Sequence, residues 1–138
     1  MSNEQRKHLY PALRALDRMQ QHLAIKQISV PDEVIEFVDR IRTVLRGAKD
    51  RLPLTRVDKF VERLVIDEQD ADFQQALRNR YYYALSNVIL YLKDGDRRSI
   101  DGAMEDSLEF FRYDVSNDYL IAKGGQSYEG IGPPAAPP

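Results

Sequence analysis

Apolar residues recur along this chain with the period of an α-helix almost throughout. Leu9, Leu13, Leu16, Met19 and Leu23 step by 4, 3, 3 and 4, a spacing that keeps them on one helix face. Pro11 has no N–H to donate and clashes with the preceding turn of a helix interior. The pattern therefore predicts a first helix that starts near residue 9 or 10, or kinks there. A second helix is expected from Ser29-Val30-Pro31-Asp32: a capping Ser, an early Pro and a carboxylate three residues on. Its stripe is Val34, Phe37, Val38, Ile41, Val44 and Leu45, and Gly47 is its expected stop. Thr55, with Asp58 three residues later, is read as the cap of a third helix with Val57, Phe60, Val61, Leu64 and Val65 inward.

The fourth segment, residues 71–93, follows an acidic stretch suited to a positive helix start. Phe73, Leu77, Tyr81, Ala84, Val88 and Tyr91 fall within roughly 80° of one another at about 100° per residue. From Tyr81 to Leu92 only Ser86 and Asn87 are plainly polar. A helix apolar on every side is either central in its domain or covered by a partner. Asp94-Gly95-Asp96 reads as a turn. Ser99 is the expected cap of a fifth helix, whose stripe would be Ile100, Met104, Leu108, Phe111 and Val115.

These elements predict an all-α fold, a compact bundle of about five helices spanning residues 1–123 as a single domain. The last fifteen residues hold four of the seven Pro and four of the seven Gly. A segment of that composition buries too little apolar surface to offset its ordering entropy, so 124–138 is expected to be a flexible tail. The chain's 138 residues match one domain. Its formal charge of −2 gives no reason to expect nucleic acid or an anionic membrane. With no Cys, disulfide frameworks, thiolate metal sites and cysteine nucleophiles are excluded together. No apolar run approaches the roughly 18–20 residues that cross a bilayer. MSNEQRKHLYP lacks a signal-peptide core, and the expected compartment is the cytoplasm.

Candidate chemistry is thin. His8 and His22 would stand about 21 Å apart on one helix, too far to share a metal. Glu-x-x-His pairs of the bundle di-iron type are missing. Asp94-Gly95-Asp96-Arg97-Arg98 places Arg where a calcium loop needs oxygen. Phosphate-loop, dinucleotide and G-x-S-x-G signatures are likewise lacking. The expectation is a protein that is not an enzyme and uses neither cofactor nor metal.

Two surface features remain. Asp101, Glu105 and Glu109 form an i, i+4, i+8 row on the fifth helix, with Asp94 and Asp96 in the turn before it. Residues 81–122 carry eight acids against four bases, a concentration that would steer a basic partner. Arg78-Asn79-Arg80-Tyr81-Tyr82-Tyr83 supplies the residue types that most often dominate interface energies. The partner-contacting set expected from sequence is thus Asp94, Asp96, Asp101, Glu105, Glu109, Arg78, Tyr82 and Tyr83.

YALSNVILYLKDGD, followed by SIDGAMEDSLEFFRYDV, resembles the C-terminal helical hairpin of small all-α bacterial immunity proteins, across residues 83–115. These are cytosolic partners that neutralise toxins. The resemblance implies an inhibitory complex in which an acidic face covers a basic active-site cleft. Two rival expectations stand beside it: an assembly protein, of phage or secretion type, that self-associates through its all-round apolar fourth helix, and a nucleic-acid regulator using Arg78, Arg80, Arg97 and Arg98.

Overall fold

A computed structural model describes residues 1–122, with side chains as far as Ser116. Five helices make an all-α bundle: α1 (Asn3–Ile25), α2 (Asp32–Leu45), α3 (Leu54–Leu64), α4 (Phe73–Asp94) and α5 (Arg97–Ala122). No strand occurs among the described residues. The Gly/Pro-rich segment 124–138, expected as a flexible tail, lies outside them.

Helix α1 begins well before residue 9 and runs through Pro11. The Ser2 hydroxyl accepts from the Gln5 N–H at 3.1 Å, and the Gln5 side chain accepts from the Ser2 N–H at 3.0 Å. This reciprocal cap satisfies two otherwise orphaned donors. An interior proline costs about 3 kcal/mol, which is offset here by burying Leu9, Ala12, Leu13 and Leu16 on both sides of it. The predicted start at 9–10 therefore gives way to one at Asn3.

The expected serine and threonine caps are also replaced. Pro31 and Pro53 occupy the N-cap positions of α2 and α3, without side-chain caps. Thr55 lies inside the first turn of α3, and Ser29 is exposed before α2. Asp72 caps α4 by accepting from the Gln75 N–H at 2.8 Å. Helix α4 closes on Gly95 at φ 72°, a left-handed conformation that costs glycine least. Asp96, not Ser99, caps α5 by accepting from the Arg98 N–H at 3.0 Å.

Helix α4 is the axis of the bundle, packed against α5, α3 and α1. Its expected face of Phe73, Leu77, Tyr81, Ala84, Val88 and Tyr91 is buried throughout, as are Tyr82, Leu85 and Ile89. The chain's own helices thus cover most of this apolar rod, leaving Tyr83 and Leu90 partly exposed on one side. Asn79, 0% exposed, pins the α3–α4 connection to this axis. Its amide accepts from the Ile66 N–H at 3.1 Å and donates to the Ile66 carbonyl at 2.7 Å.

Helices α1 and α5 lie side by side and run the same way. Gly95, just before α5, sits beside Gln5, and Asp114 near its far end meets two residues of the last turns of α1. The Asp114 carboxylate is 3.2 Å from His22 Nδ1 and 3.0 Å from Lys26 Nζ, and the Phe111 ring stands edge-on to His22 at 4.9 Å.

The face that α5 buries differs from the one expected. Ile100, Ala103, Ser107, Phe110 and Asp114 point inward, a face turned by about 80° from the apolar stripe. The seam with α4 explains the turn. A Cβ on Gly102 would come within 3.0 Å of Asn87 Nδ2, so the two helices approach closely there. Only small residues such as Gly102, Ala103 and Ser107 fit that approach. Of the predicted stripe, Ile100 remains inside, Phe111 is half-buried, and Met104, Leu108 and Val115 face outward.

Candidate functional site

The outward face of α5 carries two parallel rows. Met104 is 36% exposed, and Leu108 and Val115 are each 65% exposed. At spacings of 4 and 7 residues they align along the helix. Immediately beside them runs the acidic row of Asp101, Glu105 and Glu109. Asp101 and Glu105 are exposed and make no ion pair among the described residues, whereas Glu109 accepts from Arg112 at 2.5 Å. Like charges four residues apart repel by a few tenths of a kcal/mol, so the row gains nothing for the isolated helix.

Beyond the acids the surface passes onto α4. Asp106 accepts from Asn87 Nδ2 at 3.0 Å, and burial pushes its carboxyl above the usual carboxylate range despite that hydrogen bond. The helix period sets Tyr83 and Leu90 on the same side of α4 as Asn87, and both are partly exposed. Arg80 lies over the Tyr83 ring, 5.9 Å from its centroid, and pairs with Glu68. One continuous surface therefore presents an apolar ridge, an acidic row and a tyrosine backed by arginine.

The residues expected to contact a partner separate into three groups. Asp101, Glu105, Glu109 and Tyr83 share this surface. Asp94 and Asp96 lie at its end, in the α4–α5 turn, where both have local work. The Asp94 carboxylate accepts from the Asp96 N–H at 3.0 Å. Hydrogen bonds from Arg98 hold the Asp96 carboxyl below its ordinary range. The third group is turned away: Tyr82 is 2% exposed, and Arg78 donates from Nε to the Ser29 carbonyl at 2.7 Å. Tyr82 is thus part of the core, and Arg78, half-buried, ties α4 to the segment before α2. Tyr82 points inward because it lies one helical step, about 100°, from the core residue Tyr81.

Sequence reasoning missed Met104, Leu108 and Val115 as surface residues. Their periodicity was present, but it does not tell an inward stripe from an outward one. It also missed the His22–Asp114–Lys26 cluster, which forms only where α1 and α5 meet. Among the described residues no group of three or more His, Asp or Glu is placed to hold a metal ion. None of the helices is long and apolar enough to cross a membrane. Compared with protein-family models, curated proteins and solved structures, the chain finds no match in any of the three.

Proposed function

We propose that this protein is a binding module without chemistry of its own, which docks a protein partner on the outward face of α5. The observation that carries this reading is the alignment of exposed Leu108 and Val115 beside unpaired Asp101 and Glu105. Fully burying a leucine- or valine-sized side chain is worth about 1.5–3 kcal/mol, and this face holds that return in reserve. The acids add steering and choice of partner more than raw affinity. The complement is a surface with an apolar groove rimmed by Lys or Arg.

In its more specific form the module is an inhibitor of the immunity type that residues 83–115 resemble, and the partner's basic surface is an active-site cleft. Charge argues against a second copy as the occupant, because two such faces would bring acidic rows together. Self-association through α4 is left only the strip of Tyr83 and Leu90, because the chain's own helices bury the rest of that helix. The nucleic-acid reading is weakened at three of its four arginines, since Arg80 is paired with Glu68, Arg98 with Asp96 and Arg78 with the Ser29 carbonyl, leaving Arg97 as the one without such a contact among the described residues.

The test is affinity capture from a lysate with the full chain as bait, repeated with Leu108→Asp and with the triple charge reversal Asp101→Lys, Glu105→Lys and Glu109→Lys. Each surface change should move stability by no more than about 0.5 kcal/mol, so the baits remain folded. Both variants should lose a basic partner that the parent chain retains. A partner set identical across all three baits would refute the proposal.

A further inference from the structure

A second feature lies between α1 and α2. There a cleft of about 170 Å³ is lined by Tyr10, Leu13, Arg14, Arg42, Leu45 and Arg46, with Asp17 as its one carboxylate. Three arginines, one on α1 and two on or just after the end of α2, thus line a space with a single acid. Arg42 is accounted for: it pairs with Asp17 and Asp39 and reaches Gln20 Oε1 at 3.4 Å. Arg14 and Arg46 are exposed and have neither ion pair nor hydrogen bond among the described residues. Burial holds the Arg42 guanidinium below its ordinary range, and the charge of Arg46 pushes it the same way. Asp17 and Asp39 thus offset only part of the positive charge that Arg14, Arg42 and Arg46 bring together.

The rest of the lining is apolar. Leu13 and Leu45 are buried at the base of the two helices, whereas Tyr10 keeps much of its ring in solvent. A guanidinium presents a planar fork that matches carboxylate and phosphate oxygens two at a time. The space is smaller than the roughly 300–1,000 Å³ of sites that hold drug-sized ligands, and suits a single ring or short branched chain.

We propose that this cleft binds a small organic anion, with a carboxylate or phosphate held by Arg14 and Arg46 on a body that lies against Leu13, Leu45 and Tyr10. The site is independent of the α5 face, and neither proposal needs the other.

Amide and arginine side-chain NMR of the full chain tests it, with phenylphosphate and benzoate as probes and with inorganic phosphate and benzyl alcohol as half-ligands. At least one of the two probes should give saturable shifts at Arg14, Arg46, Leu13 and Leu45. The tighter probe identifies the head group. Each half-ligand should bind about tenfold more weakly or worse, having lost either the charge-assisted bonds or the apolar contact. The double variant Arg14→Ala, Arg46→Ala should abolish the response while its spectrum stays dispersed, and Tyr10→Ala should weaken it. Three results would overturn the inference: no saturation by either probe at millimolar concentration, an equal response to inorganic phosphate, or binding that survives in the double variant.

Discussion

Asn79 and Tyr81 stand two residues apart on α4, both 0% exposed, and make opposite uses of a buried polar group. The Asn79 carboxamide is occupied on both sides, by Ile66 through two backbone bonds and by Gln75 Nε2 at 2.9 Å. The Tyr81 hydroxyl has no hydrogen-bond partner among the described residues. Removing a satisfied buried amide strands the groups it served and costs about 1–3 kcal/mol. Deleting a hydroxyl that was never satisfied relieves a desolvation cost instead. Urea unfolding should therefore show Asn79→Ala destabilised by about 2 kcal/mol, and Tyr81→Phe unchanged or more stable by up to about 1 kcal/mol. A loss of stability in Tyr81→Phe comparable to that in Asn79→Ala would show that the hydroxyl is bonded after all.

Helix α5 shows what an apolar period can and cannot reveal. On α4 the large side chains continue around the helix, so whichever way it turned a core face would form, and Phe73 to Tyr91 could be read directly. On α5 the period identifies a face, but the direction that face takes depends on how close α4 comes, and that is decided by Gly102, Ala103 and Ser107. The acidic row and Tyr83 were legible as surface because charge and position left them nowhere else to go. The ridge beside them was not, because a stripe of Met, Leu and Val looks the same whether it seals a core or waits outside one. Proline misled at both kinds of boundary: Pro11 is carried inside α1 by the burial around it, while Pro31 and Pro53 take the capping positions that Ser29 and Thr55 were expected to fill. A pair of substitutions distinguishes the two faces of α5. Phe110→Ala should cost about 3–5 kcal/mol, the usual range for a buried Phe, whereas Leu108→Ala should stay within about 0.5 kcal/mol. A loss at Leu108 comparable to that at Phe110 would mean that the outward stripe is packed as well.

For the molecule as a whole, the tyrosines on its axis set a limit on the alkaline side. Burial pushes the hydroxyls of Tyr81 and Tyr82 above the ordinary tyrosine range. A group whose folded pKa lies above its unfolded value supports the fold below the unfolded pKa, about 10 for tyrosine. That support is lost as the pH climbs from there toward the folded value. Absorbance at the tyrosinate band should therefore rise in two stages, the second a cooperative step in which this buried pair ionises. The second step should coincide with loss of the helical circular dichroism signal. Complete ionisation of the tyrosines with the helices intact would contradict the burial of this pair.

The pairing of α1 with α5 also has a temporal side. Helix α1 is translated well before its neighbour α5, and contacts so far apart in the chain are slow to close. Until α5 emerges, a nascent chain holding α1 to α4 bears an uncovered flank on its most apolar rod. Ribosome-bound intermediates of that length are where aggregation would begin and where a chaperone would find its grip. Helix α5 thus covers that flank and also ends this hazardous interval.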